Sequence, residues 1–207
     1  MRTRKRGGRI LGEGYYSIVI YPAIPCKDGR NMTRKASRVL KRGKQKKANL
    51  LYDHPVVPIL KKIDPKQKYF IYSESCQPGE LLPENIEDGI TEEDKEYSEV
   101  LEKAGETWKN VIPTEKQKKY LLSAIKKLHN AGVVHADIHR NNIVIADDGM
   151  PRIVDFGHAI VDALQEIIDL ENEYVKSVFP KFKIYKNGSR TEKLRADIEE
   201  ILKEQQK

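Results

Sequence analysis

Two apolar runs, Ile10-Leu11 and Ile18 to Tyr21, flank Gly12-Glu13-Gly14 and predict strand, tight turn, strand. Thr33 to Leu40 is the next strand candidate, in which a period of two sets Ala36, Arg38 and Leu40 on one face. Two short apolar runs, Val56 to Leu60 and Tyr69 to Tyr72, read as strands joined by a turn at Asp64-Pro65. From Thr114 the period becomes helical. Tyr120, Leu121, Ala124, Ile125 and Leu128 form a stripe, Thr114 with Gln117 makes a capping box, and Asn130-Ala131-Gly132 ends the helix. Ile143-Val144-Ile145 and Ile153-Val154 then flank a turn at Asp147-Asp148-Gly149. Two more helices are predicted, one over Ile160 to Phe179, closed by Pro180, and one opened by Ser189 and Glu192 with Leu194, Ile198, Ile201 and Leu202 as its stripe. Strands come first and helices after, an α+β order.

The acidic stretch from Leu81 to Asn110 is poorly periodic, with one helix candidate over Glu92 to Lys109. A chain of 207 residues forms one domain or two small lobes around a cleft. No apolar run of about 18 residues exists, so no membrane span is predicted. The net charge of +7 calls for an anionic partner. It is concentrated in a basic tail, residues 1–9, and in a second basic run from Arg30 to Lys47. The tail offers a surface for nucleic acid or an acidic partner. Cys26 and Cys76 lack metal-ligand spacing and read as reduced thiols of a cytoplasm-like compartment.

The chemistry is concentrated between Gly132 and Ala159. His135-Ala136-Asp137-Ile138-His139-Arg140-Asn141-Asn142 places an Asp and an Asn in one loop, and Asp155-Phe156-Gly157 returns a second Asp across the predicted hairpin. Phosphoryl transfer needs a carboxylate to orient or deprotonate the attacking hydroxyl, oxygen ligands for Mg²⁺, and little covalent chemistry from the protein. Asp137 suits the first role, Asn142 with Asp155 the second.

These residues resemble the protein-kinase superfamily, whose H-R-D-x-x-x-x-N loop appears as His135-Ala136-Asp137 to Asn142 and whose D-F-G stands intact. The resemblance implies a bilobal fold with a small β-rich N-lobe over residues 10–76 and a reduced helical C-lobe over 77–207. ATP and Mg²⁺ are the implied cofactors. Gly12 and Gly14 match the phosphate-binding glycine loop, Val19 would cover adenine with Ala36, and Arg38 stands at the family's phosphate-binding Lys. Ser73 to Glu80 is similar to the hinge, where the Glu74 carbonyl and Cys76 N–H would bond adenine and Glu80 would reach the ribose.

Some positions depart from the family. The Lys is replaced by Arg38. Counting back from His54-Pro55 sets Gln45 where a short helix C would supply its Glu, and no acid lies between Arg30 and Tyr52. So the usual ion pair is not expected. His139 stands two after Asp137, a form closer to atypical and small-molecule kinases, and could hydrogen-bond the γ-phosphate or assist proton transfer. No room for an activation segment follows Ala159. That economy is similar to small KEOPS-associated and RIO kinases and, loosely, to kinase-like proteins of large DNA viruses.

The implied function is an ATP/Mg²⁺-dependent phosphotransferase of atypical protein-kinase type, acting on Ser or Thr of a protein in the cytoplasm (a host cell's, if viral). Two other readings stay open, a pseudokinase and an ATPase-like regulatory or binding subunit of a larger complex.

Overall fold

The computed structural model describes residues 9–41, 43–46, 49–77, 97–105, 107–108, 111–178 and 189–205. The chain divides into two units, the first running to Val57 and again over Ile71–Lys103, the second comprising Pro58–Phe70 and Ala104 onward. The sheet unit thus extends past Cys76, where the sequence placed its end.

In the first unit β1 (Arg9–Glu13) and β2 (Ser17–Tyr21) form the expected hairpin, and the Gly14 N–H donates to Ser17 O at 2.8 Å. β3 (Lys35–Leu40) pairs antiparallel with β2, Val19 opposite Arg38 and Ile20 opposite Ser37. Alternation then divides the side chains. Val39 packs with Ile20 and Ile24 on one face, while Ala36, Arg38 and Leu40 take the other.

The next strand in the sheet is β5 (Ser98–Glu102), with β4 (Glu74–Ser75) outside it, giving the order β1-β2-β3-β5-β4. Residues 98–102 lie inside the predicted 92–109 helix, so that expectation is overturned; residues 91–96 are outside those described. Tertiary pairing decides the outcome. Without β5 the N–H and C=O groups along the open side of β3 would lack sheet partners.

Cys26 and Cys76 are bonded as a disulfide across 50 residues, which corrects the expectation of two reduced thiols. The bond is invisible in the spacing because sheet topology brings the two together. β4 lies beside β5, and Lys27 N–H donates to Gln77 O at 2.8 Å, so the two loops are already tied. Cys26, Cys76 and Val100 form a buried cluster.

No short helix C follows β3 among the described residues. Residues 43–46 are not helical, and among the described residues Asn49 and the 3₁₀ turn Leu51–Asp53 precede His54. Lys44, Lys46 and Lys47 crowd like charges there with few apolar residues to bury. α1 instead occupies Val56–Ile63, where a strand was expected over Val56 to Leu60. A five-residue apolar run fits either element. Here Val56, Val57 and Leu60 are buried at helical spacing, and His54 starts the turn by accepting the Val56 N–H on Nδ1 and the Val57 N–H on its carbonyl.

In the second unit Asp64 takes the N–H groups of Lys68, Tyr69 and Phe70 at 2.9, 2.6 and 2.9 Å. Those donors are therefore spent, and the strand expected at Tyr69 to Tyr72 shrinks to one parallel bridge between Phe70 and Ile153. α2 (Glu115–His129) carries the expected capping box of Thr114 and Gln117 and buries Leu121, Ala124, Ile125 and Leu128. β6 (Ile143–Ile145) and β7 (Pro151–Ile153) form the expected hairpin, with Gly149 at φ 73° in its turn. Gly105 is required beside it, since a Cβ there would meet Ile145 O at 2.6 Å.

α3 (Gln165–Val178) starts later than the predicted Ile160, because Ile160 pairs with Val134 and Ala163 N–H bonds to Gly132 O. α4 (Ser189–Glu204) follows. Leu194 and Ile198 of α4 pack with Ile167 and Ile168 of α3 and with Val134 and Ala136. This core abuts the loop that carries the chemistry.

Candidate active site

The loop from His135 to Asn142 is fixed from below by buried polar groups. Glu171 on α3, fully buried, accepts the His135 and Ala136 N–H groups at 3.2 and 2.7 Å and lies 2.7 Å from His129 Nε2. Ala136 is held at φ 59°, the left-handed region that a residue with a Cβ enters at some energetic cost. Tyr174 Oη donates to Ile138 O at 3.0 Å. His135, also fully buried, donates from Nε2 to Val154 O at 3.0 Å and accepts the Asp137 N–H on Nδ1 at 3.2 Å. Its ring packs 4.8 Å from Phe156. Burial holds the His135 imidazole below its ordinary value, so both hydrogen bonds belong to the neutral ring. His135 thus braces the loop.

Asp137 is the hub. Its Oδ2 accepts Asn142 Nδ2 at 3.0 Å and lies 3.4 Å from His139 Nε2; its Oδ1 meets Arg195 Nη1 of α4 at 3.1 Å. Burial pulls the Asp137 carboxyl upward. The His139 hydrogen bond, the charge of His139 and that of Arg195 outweigh it and hold the group below the usual carboxylate range. Asn142 Nδ2 also donates to Asp137 O at 3.0 Å, which leaves Oδ1 of the amide as its ligand atom for a cation. Val154 N–H bonds to Asn142 O at 2.9 Å, tying the loop to the strand that delivers Asp155. Asp155 is exposed and sits at φ 62°. An amide oxygen and an exposed carboxylate are hard donors suited to Mg²⁺, which keeps several waters and takes few protein ligands.

In the sheet unit, Val19, Arg38 and Glu99 stand in one row across β2, β3 and β5, with Ala36 on the same face and fully buried. Arg38 Nη1 lies 2.5 Å from Glu99 Oε1 and also bonds Asn49 O at 3.1 Å. The Arg38 position therefore has a carboxylate, though not in the family's usual form: it comes from β5, and Gln45 has no helix to present it. Gly12 lies in β1 opposite Val19, and Gly14 opens the β1–β2 turn.

Glu74 and Cys76 are not brought to this row. β5 separates β4 from β3, which places Glu74 two strand spacings, about 10 Å, from Ala36. The Glu74 side chain pairs with Lys35 and Arg30, and Cys76 is in the disulfide. The hinge assignment of these two residues is corrected accordingly. Glu80 lies outside the described residues.

Three residues escaped the sequence reading. Glu171 had a signal, a carboxylate midway between Ile167 and Val175 on the apolar stripe. Arg195 and Glu99 had none, since each acts across a long sequence separation.

The sequence model of the protein kinase domain matches residues 6–167. The chain belongs to the protein kinase family. Its fold is that of the family, a β-sheet N-lobe and a helical C-lobe. Among similar proteins, the sperm motility kinase Tcr mutant form of Mus musculus is 33% identical over 110 residues, 52% of this chain and 19% of that protein. The serine/threonine-protein kinase PEPKR2 of Arabidopsis thaliana is 28% identical over 160 residues, 74% of this chain and 29% of that protein. The match thus spans under a third of the length of these relatives. A chain in the structure of the CAK complex from Chaetomium thermophilum bound to ATP-γ-S superposes with a TM-score of 0.49 at 21% identity, over 76% of this chain and 47% of that one. Among the described residues no helix is long and apolar enough to cross a membrane.

Proposed function

We propose that this kinase-family chain is an active phosphotransferase that moves the γ-phosphate of ATP to a Ser or Thr hydroxyl of a protein. The observation that carries the reading is the anchoring of Asp137 by Asn142 within a loop braced from beneath by Glu171. A carboxylate held in one orientation and kept ionised accepts the hydrogen bond of an incoming hydroxyl and takes its proton as the phosphoryl group departs. His139, 3.4 Å from the same carboxylate, assists the proton or bonds the γ-phosphate. Asn142 and Asp155 would hold Mg²⁺, which when bound neutralises charge on the transferring phosphate.

On the sheet, Gly12 and Gly14 would approach the phosphates with backbone N–H groups, Val19 and Ala36 would cover the adenine, and Arg38, oriented by Glu99, would contact phosphate. The relatives named serine/threonine-protein kinases support the acceptor assignment. The loop form His-x-Asp-x-His, and the short interval from Gly157 to the start of α3 at Gln165, support an atypical member of the KEOPS-associated or RIO kind, with the viral likeness a looser part of the same proposal. The partner role of the basic tail and a cytoplasmic location belong to it as well. Alkylation of Cys26 and Cys76 in fresh lysate tests the location, because cytoplasm would keep both reduced.

The function is tested by γ-phosphate turnover with ATP and Mg²⁺, with and without a basic protein acceptor, for the wild type and Asp155→Ala. Label on the acceptor that disappears in the variant is the expected result. Free phosphate without labelled protein would instead make the chain an ATPase-like subunit, and no turnover in either a pseudokinase.

A further inference from the structure

The catalytic-loop carboxylate is gripped from a helix that lies beyond the matched kinase segment. Arg195 belongs to α4, whereas the family match ends at residue 167. Its Nη1 stands 3.1 Å from Asp137 Oδ1, with the Arg195 side chain 28% and the Asp137 side chain 11% exposed. The contact is built into the packing. Leu194 and Ile198, one helical turn apart on the buried face of α4, share a core with Ala136, the residue before Asp137. That core fixes the rotation of α4 and so places the residue next to Leu194 at the loop.

The two oxygens of Asp137 are served by different elements. Oδ2 faces Asn142 and His139, both in the loop, and Oδ1 faces Arg195. A carboxylate tied at one oxygen still swings about that tie; tied at both, it has one orientation. Within its own loop Asp137 contacts His139 and Asn142, neither of them a permanent cation. A guanidinium stays charged throughout the physiological range and keeps several donors in a fixed fork.

Resting on the phosphotransferase reading above, we propose that Arg195 is a positioning residue for phosphoryl transfer, which fixes the Asp137 carboxylate by holding Oδ1 while Asn142 holds Oδ2. The helix after the matched kinase segment is then part of the catalytic apparatus. Its loss removes the alignment of the acceptor hydroxyl and leaves nucleotide binding untouched.

The test uses the full chain with ATP, Mg²⁺ and a protein acceptor, comparing wild type, Arg195→Ala, Arg195→Lys and the packing control Ile198→Val. For Arg195→Ala, kcat is expected to fall about 10- to 100-fold with KM for ATP unchanged. Arg195→Lys, or millimolar guanidinium added to Arg195→Ala, should restore part of it. Ile198→Val should lower the thermal midpoint slightly and keep kcat. An Arg195→Ala enzyme with wild-type kcat, or one whose loss follows its thermal midpoint and answers to neither lysine nor guanidinium, overturns the proposal. A second readout does not need activity. The Asn142 side-chain amide, followed by NMR, should exchange faster with solvent in Arg195→Ala and recover in Arg195→Lys. If the wild type transfers no phosphate, the functional reading fails by itself. An amide unaffected by either variant refutes the positioning role whether or not there is turnover.

Discussion

Arg38 and Glu99 face each other across β3 and β5, Nη1 2.5 Å from Oε1, although 61 residues separate them in the chain. Glu99 is fully buried, and its other oxygen accepts the Leu51 and Tyr52 N–H groups at 2.7 and 3.0 Å. One carboxylate thus neutralises the guanidinium and takes the first N–H groups of the 3₁₀ turn Leu51–Asp53. The same Arg38 Nη1 also reaches Asn49 O at 3.1 Å, so one nitrogen ties β3 to both β5 and the segment after β3.

Removing that carboxylate strands a guanidinium and two amides in a poorly hydrated place. Glu99→Ala is expected to lose about 3–5 kcal/mol of stability, as breaking a buried pair does. Arg38→Lys keeps the charge and gives up the bond to Asn49 O, a loss of about 1 kcal/mol. Urea unfolding of both variants decides it. A Glu99→Ala midpoint equal to wild type would mean that solvent already serves those donors.

How much of this was legible follows from how local each feature is. The β1–β2 hairpin, the capped α2 helix and the β6–β7 hairpin are specified by neighbouring residues, and the sequence pattern found all three. The loop from His135 to Asn142 was legible because its motif is contiguous. Val56 to Leu60 misled because a short apolar run has no period of its own, and the cap at His54 chose the helix. Residues 98–102 misled because they are strand only by virtue of β3 beside them. Glu99 and Arg195 carry no local signature, since their partners lie 61 and 58 residues away.

His135 makes the fold sensitive to acid. The neutral ring donates to Val154 O and accepts from Asp137 N–H, and a proton on Nδ1 would abolish the second bond. Burial lowers its affinity for that proton in the folded chain, whereas the unfolded chain takes it up near the ordinary value of about 6.5. Stability is therefore fully present above that value and is lost as pH falls through it toward the lower folded-state value. Wild type should lose more unfolding free energy than His135→Gln between pH 7.5 and 5.5, roughly the interval in which the free imidazole titrates. Equal losses would show that the ring admits the proton without penalty.

Glu171 supports the left-handed turn at Ala136 through two amide hydrogen bonds, and His129 braces its carboxylate at 2.7 Å. Glu171→Ala leaves both buried amides unpaired, at about 1–3 kcal/mol each. Glu171→Gln keeps one acceptor oxygen and should lose roughly half as much. The site-specific signature is hydrogen exchange at the Ala136 amide, which should accelerate in both variants, more in Ala. An Ala136 amide as protected in Glu171→Ala as in wild type would remove Glu171 from the support of the loop.

Asp155 presents the opposite balance, a residue whose conformation opposes stability. It sits at φ 62°, where a Cβ is unfavourable and glycine is at ease, and it is exposed, so little packing is lost on truncation. A strained, exposed Asp is retained at such a point because its carboxylate does something that glycine cannot. Asp155→Gly should therefore leave stability unchanged or raise it by up to about 1 kcal/mol, while phosphate transfer disappears. Thermal unfolding and γ-phosphate turnover on the same preparation give both numbers. A variant that melts well below wild type would make Asp155 a structural residue, and one that still transfers phosphate would remove it from the site. Only greater stability together with lost turnover is what a strained metal-binding carboxylate requires.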